Sequence, residues 1–183
     1  MKSIYTKQII IASLLLFCTA FMLIQFSPIG LRGLLALTGG ASILDMQFPW
    51  YSPGKAYEVL EALGSEGRAF NLTRILPLDI LFPFSYSLLF CALTGFLYKT
   101  NGFKKKTYIV LSLSGPCAGL FDLMENTCVF IMLKKYPFVL HKAAFASNIF
   151  TQVKFMFFGG SFILIVIGVC MFLNRRRQSS GKR

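Results

Sequence analysis

Residues 115–126, with the sequence GPCAGLFDLMEN, lie in the middle of an apolar run from Tyr108 to Leu133. That run is long enough to cross a bilayer as a helix. At 3.6 residues per turn, its two glycines, its two acids and Asn126 fall on one side of the helix. Carboxyl and amide groups that faced lipid would cost several kcal/mol. The stretch therefore predicts a membrane-spanning helix whose polar side faces protein or water.

The composition is typical of a membrane protein. Of the 183 residues, 55% are hydrophobic and only 14% are charged, against about 25% charged in soluble domains. Nineteen Lys and Arg against seven Asp and Glu give a net charge of +12. The basic residues border apolar segments, where they act as topology signals, so nucleic-acid binding is not expected. Five cysteines without a paired spacing and a single histidine favour neither a disulfide framework nor a histidine-based metal site.

Four apolar segments predict an all-α integral membrane protein, with residues 1–183 forming one domain, a four-helix transmembrane bundle. The predicted spans cover residues 8–26, 76–98, 108–133 and 145–173, and a long structured extracytoplasmic loop covers residues 27–75. The first span has a signal peptide as its alternative, because residues 18–20 resemble a cleavage site. Its continuation to Phe26 gives it spanning length and favours an uncleaved helix.

The long loop carries its own helix signals. Ser52 is a suitable N-cap and Pro53 a suitable first helical residue, which predicts a short helix over residues 53–63. Trp50 and Tyr51 are typical of anchors at the membrane surface. Residues 30–44 are apolar but interrupted, and the sequence leaves open whether they lie on the surface or re-enter the membrane.

The distribution of basic residues predicts the orientation. Lys2 and Lys7, the loop of residues 99–106 and the tail after residue 174 would share one side, and they contain no acids. The loop over residues 27–75 balances its bases with acids. By the positive-inside rule, both termini are expected in the cytoplasm, with the protein in the cell membrane.

This orientation would gather the polar residues of the spans in the outer half of the membrane. Asp79 lies about 5 Å from the outer end of its span, and Glu125 about 12 Å from the end of its own, at 1.5 Å per residue. We predict an acid–base group formed by Asp79, Asp122, Glu125 and Lys154. We predict substrate-binding roles for Arg68, Arg74, Tyr86 and Asn126. Three carboxyls beside one ammonium cannot all stay charged in a medium of low dielectric constant.

The alternative is that these residues only tie the helices together. Interhelical hydrogen bonds in membranes contribute little each, so ties alone hardly require so many ionisable groups. Asp79, Asp122 and Glu125 offer oxygen ligands for a divalent metal, but Lys154 would compete with it, and we expect neither a metal nor a cofactor. If Lys154 is paired with one acid, Lys154→Met is expected to destabilise less than loss of that acid, because a carboxyl without a partner can take up a proton.

Three classes of function fit such a pocket. The first is binding of, or acid–base action on, a membrane lipid or isoprenoid. The second is an accessory role in assembly, alone as a homo-oligomer or with a membrane partner. The third is a small proton-linked transporter, which usually needs a polar path to both sides of the membrane. Polar groups in only one half of the membrane favour the first class.

Overall fold

The computed structural model describes residues 5–47 and 49–180, and within these ranges it contains helices but no strands. Helices account for 84% of the described residues. Two short segments have other helical geometry: a 3-10 turn over Leu44–Met46 and a π turn over Asn71–Ile75. The α-helices are α1 (Lys7–Phe26), α2 (Leu31–Thr38), α3 (Pro53–Ala62), α4 (Gly64–Phe70), α5 (Leu76–Thr100), α6 (Lys105–Ser112), α7 (Ser114–Lys135) and α8 (His141–Ser180).

Four helical stretches are long and apolar enough to cross a membrane, which confirms the prediction in this coarse form. They cover Lys7–Thr38, Gly64–Thr100, Lys105–Lys135 and His141–Gln178. Large apolar side chains are exposed along them, including Leu15, Phe84 and Phe162 at 60% or more. Such a continuous apolar surface is not found on soluble monomers and fits contact with lipid.

Two of the helical stretches run further than the sequence indicates. The second begins at Gly64 rather than near residue 76, because α4 continues through the π turn into α5. The fourth continues past Arg175–Arg177 to Ser180. Arginine ends an apolar segment but is a good helix former, so the charge run marks the end of the apolar segment and not the end of the helix.

The two glycines of the central stretch bring α5 and α7 together. A Cβ at Gly115 would lie 2.6 Å from Cβ of Phe90, and one at Gly119 would collide with Oγ of Ser87. The close approach also lets Ser87 donate a hydrogen bond to the carbonyl of Gly115, at 3.2 Å. Small residues at this contact therefore set the spacing of the helices that carry the polar groups.

Residues 27–63 form a cap over one end of the bundle, of which all but Phe48 are described. Ser52 caps α3 by accepting a hydrogen bond from the Lys55 amide, with Pro53 in the first turn. Apolar residues of the cap pack with the nearby ends of α5, α7 and α8 in one core. That core includes Leu34, Leu44, Ala56, Leu60, Ile75 and Met132.

The opposite end of the bundle, here called the basic end, holds the start of α1, the α5–α6 junction and the end of α8. The Tyr5 hydroxyl lies 3.0 Å from Oγ of Ser112, and Arg175 donates a hydrogen bond to the carbonyl of Thr100 at 2.8 Å. α1 also packs on α5, where Phe17 stacks against Phe82. The first helix is thus an integral part of the bundle rather than an appendage to it.

Candidate functional site

An ion cluster lies where α7, α8 and the cap meet. Nζ of Lys154 on α8 lies 2.6 Å from Oε2 of Glu125, 3.2 Å from Oδ1 of Asp122 and 3.5 Å from Oδ2 of Asp45. Asp122 and Glu125 are one turn apart on α7, so both point toward the same lysine. The side chains of Lys154, Asp122 and Glu125 are all less than a tenth exposed. The structure thus brings together three of the four residues predicted to be catalytic.

Neutral hydroxyls hold the two α7 carboxylates in place. Thr151 donates a hydrogen bond to Oε1 of Glu125 at 2.7 Å, and Tyr86 donates one to Oδ2 of Asp122 at 2.8 Å. Thr151 lies on α8 and Tyr86 on α5, so three helices contribute to the cluster. Tyr86, Asp122, Glu125 and Thr151 are all buried, which makes their hydrogen bonds stronger and any unpaired member more costly.

Asp45 is a member of the cluster that the sequence analysis missed. It is one of the acids of the long loop, which were predicted only to balance the bases of that loop. Ile43, Leu44 and Met46 are its neighbours in sequence, but Glu58 and Glu61 also have apolar neighbours, so no local signal distinguishes Asp45. The 3-10 turn of residues 44–46 buries Leu44 and directs Asp45 to Lys154.

Asp79, the fourth predicted catalytic residue, stands apart from the ion cluster. Its side chain is buried, yet among the described residues no donor lies within hydrogen-bonding distance of its carboxyl oxygens. Its backbone carbonyl has lost its helical donor, because Pro83 lies four residues on and has no N–H. Nδ2 of Asn126 donates to that carbonyl at 3.0 Å instead. The side-chain nitrogen of Asn126, predicted to bind substrate, is therefore engaged in joining α7 to α5.

The two arginines predicted to bind substrate do not reach the cluster. Arg68 donates a hydrogen bond to the carbonyl of Leu60 at 2.9 Å and lies 3.9 Å above the ring of Tyr136. Arg74 is exposed on the π turn. Residues 64–75 are helical, and this helical course places neither arginine at the cluster.

Tyr51 is not the surface anchor that the sequence predicts. It is 3% exposed, and its hydroxyl donates to Oγ of Ser147 at 2.9 Å. Its carbonyl accepts a hydrogen bond from Asn148. Burial raises the pKa of Tyr51 to about 12, so its hydroxyl stays protonated and can donate. Trp50, in contrast, is exposed and lies edge-on to Phe145.

A cavity of about 230 Å³ adjoins the cluster. The ionisable residues of its lining are Asp45, Asp79, Tyr86, Asp122 and Lys154. The other lining residues are Gln25 and the apolar Ile24, Leu31, Ile43, Met46, Phe82, Phe155 and Phe158. α1 and α8 each pack on α5, and the cavity lies between them beneath the cap. Met46 and Phe155 are exposed, so the cavity reaches the surface of the protein.

Oxygen atoms of Asp45, Asp122 and Glu125 lie within 4.8 Å of one another, a grouping that is compatible with a metal ion. The chain supplies its own cation at this point, since Nζ of Lys154 lies within 3.5 Å of all three carboxylates. A divalent ion would have to displace this ammonium and would be repelled by it. The donor set therefore fits the lysine better than a metal.

The fold and the site define a class: an all-α protein with four membrane-length helices that enclose a buried ion cluster beside a cavity. Comparisons with protein-family models, curated protein sequences and solved structures find no match for this chain.

Proposed function

We propose that this protein binds a lipid or another membrane amphiphile, and acts on its head group by acid–base chemistry. The observation that carries the proposal is the cavity between α1 and α8, whose lining combines ionisable side chains with aromatic and aliphatic side chains. An amphiphile needs such a mixed environment, because its head group requires hydrogen bonds and its chain requires apolar contact.

The size and position of the cavity support entry from the side. A volume of about 230 Å³ corresponds to roughly seven or eight water molecules at ~30 Å³ each. That holds a head group and the first carbons of a chain, but not a whole lipid. The rest of the chain would lie in the gap between α1 and α8, along Phe21 and Phe155, which are both exposed.

Acid–base chemistry is supported by the groups that line the cavity. No donor among the described residues reaches the carboxyl group of Asp79, so this group is available to a ligand as base or acid. Tyr86 also lines the cavity, and its hydroxyl is held by Asp122, which is held in turn by Lys154. This chain of contacts fixes the phenol in one orientation and gives its proton a defined acceptor.

The orientation forms part of the proposal. The basic end carries Lys7, Lys99, Lys104–Lys106 and Arg175–Arg177, so the positive-inside rule assigns it to the cytoplasm of a cell-membrane protein. The cap and the cavity then lie toward the outer side. Reporter fusions at Lys104 and at the C-terminus should both be cytoplasmic, and an external signal from either would reverse this assignment.

The proposal is tested by native mass spectrometry of protein released gently from its own membrane. We expect a co-purifying amphiphile on wild type. We expect its loss in Phe158→Trp, because the larger side chain fills part of the cavity. Phe162→Trp is the matched control, because Phe162 lies one turn further along α8 and is 60% exposed. Equal adducts on both variants, or no adduct on wild type, would contradict ligand binding in the cavity.

An accessory role in assembly is the second candidate, and one observation favours it. Of the 18 most apolar consecutive residues of α8, only 11% are buried within the chain. Gly159 and Gly160 also have open space where a Cβ would project. Another copy or a membrane partner would find room there. Transport is less favoured, because Tyr86, Phe90 and Phe158 pack together on the basic side of the cavity and close it.

A further inference from the structure

We infer that the head group of the ligand is a protonated amine, bound by the carboxylate of Asp79 and flanked by aromatic rings. This inference rests on the proposed function and names its ligand class. Arg68 and Arg74, which were predicted to bind substrate and would favour an anionic head group, do not line the cavity.

Among the described residues, the cavity offers an anionic ligand no cation that is not already paired. Lys154 is the one Lys or Arg among the described residues of its lining. An ammonium group has three N–H donors and no acceptor. Three carboxylates, from Asp45, Asp122 and Glu125, lie within 3.5 Å of Nζ and match these three donors. A phosphate or carboxylate head group would have to break one of these ion pairs and would then face the remaining acids.

Among the described residues, the cavity does have hydrogen-bond acceptors that no donor reaches. Asp79 is 6% exposed, lines the cavity, and has no donor for its carboxyl oxygens among the described residues. Among the described residues, the cluster places the carboxyls of Asp45, Asp122 and Glu125 beside one ammonium, and Asp79 adds a fourth carboxyl in the lining of the same cavity. A ligand with several N–H donors and a positive charge would satisfy Asp79 and reduce this excess of acids.

Aromatic rings complete the site for a cation. Tyr86 lies edge-on to Phe82 and to Phe158, with centroids 5.4 Å and 5.2 Å apart. All three rings line the cavity that Asp79 faces. Rings within about 6 Å of an ammonium attract it through their negative faces, and the attraction grows when water is excluded. A carboxylate and several rings in one cavity are the combination that recognises alkylammonium groups.

The test uses three probes with the same chain and different heads: hexylammonium, hexanol and hexanoate. Each is titrated into the purified full-length protein in a non-ionic detergent, and its affinity is taken from the shift of the unfolding midpoint. For wild type we expect hexylammonium to bind at least tenfold more tightly than hexanol, and hexanoate more weakly than either. For Asp79→Asn we expect the preference for hexylammonium over hexanol to fall below twofold, and Asp79→Glu should restore most of it. Because each probe partitions into detergent equally for all proteins, the comparison between variants isolates Asp79.

The outcomes separate this inference from the proposed function. If hexanol or hexanoate binds in the cavity as tightly as hexylammonium, the ligand class is wrong while amphiphile binding stands. If none of the probes binds to wild type, both fail. If Asp79→Asn does not fold, the wild-type ranking of the three probes decides alone. A preference for hexylammonium that persists unchanged in Asp79→Asn would overturn the assignment of Asp79.

Discussion

Replacing Lys154 by Met tests the ion cluster directly. Met has a similar volume but no charge, so the three carboxyls that surround Nζ at 2.6–3.5 Å lose their common partner. At an effective dielectric constant of about 20, each of these pairs represents roughly 5–6 kcal/mol of attraction before desolvation is counted. Because desolvation offsets much of this, the net cost of removing one partner from a buried ion pair is about 3–5 kcal/mol.

That cost corresponds to a fall of roughly 6–20 °C in the unfolding midpoint for a chain of this size. The assay is thermal unfolding in a non-ionic detergent, followed by the fluorescence of Trp50, the only tryptophan of the chain. Lys142→Met is the matched control, because Lys142 lies on the same helix but is exposed. It should change the free energy of unfolding by less than about 0.5 kcal/mol.

Glu125→Gln completes the comparison. It leaves Lys154 with two carboxylates, so it should destabilise less than Lys154→Met. The sequence alone leads to the opposite order, because it pairs the lysine with a single acid. Equal and small effects of Lys154→Met and Lys142→Met would refute the cluster as a stabilising feature.

Three further predictions concern the packing around the site. Thr94→Val should leave stability unchanged or raise it slightly, since the buried Thr94 hydroxyl has no partner among the described residues. Thermal unfolding would measure this, and a loss of stability would show that the hydroxyl does have a partner. Gly119→Ala should destabilise by about 1–3 kcal/mol because α5 lies too close, whereas Gly159→Ala, which meets open space, should be neutral in the same assay. Asn126→Leu should lower the free energy of unfolding by about 1 kcal/mol, because it removes the hydrogen bond to the Asp79 carbonyl. No change in the free energy of unfolding would show that this carbonyl needs no donor.

The sequence predicts the bundle well because hydrophobic length and the position of charges are local properties. The same holds for the close approach at Gly115 and Gly119, where two small residues one turn apart already indicate a contact. The neighbourhood of Asp122, Glu125 and Lys154 follows from helix periodicity combined with depth in the membrane. None of these inferences requires knowledge of where the cap folds.

The cap is where prediction from the sequence fails. Asp45 reaches Lys154 across 109 positions of the chain, and no periodic pattern encodes that contact. Arg68 and Tyr51 were misplaced for the same reason, since their surroundings depend on how residues 27–75 fold back on the bundle. Local pattern places a residue on a helix face, but long-range packing decides what that face meets.

The most direct test of the central claim is an experimental structure of the protein in nanodiscs made from lipids of its own membrane. The account predicts elongated density in the gap between α1 and α8, with its polar end within hydrogen-bonding distance of the Asp79 carboxyl and beside the Tyr86 ring. A cavity that is closed by contact of α1 with α8, or density that leaves Asp79 without a partner, would contradict it.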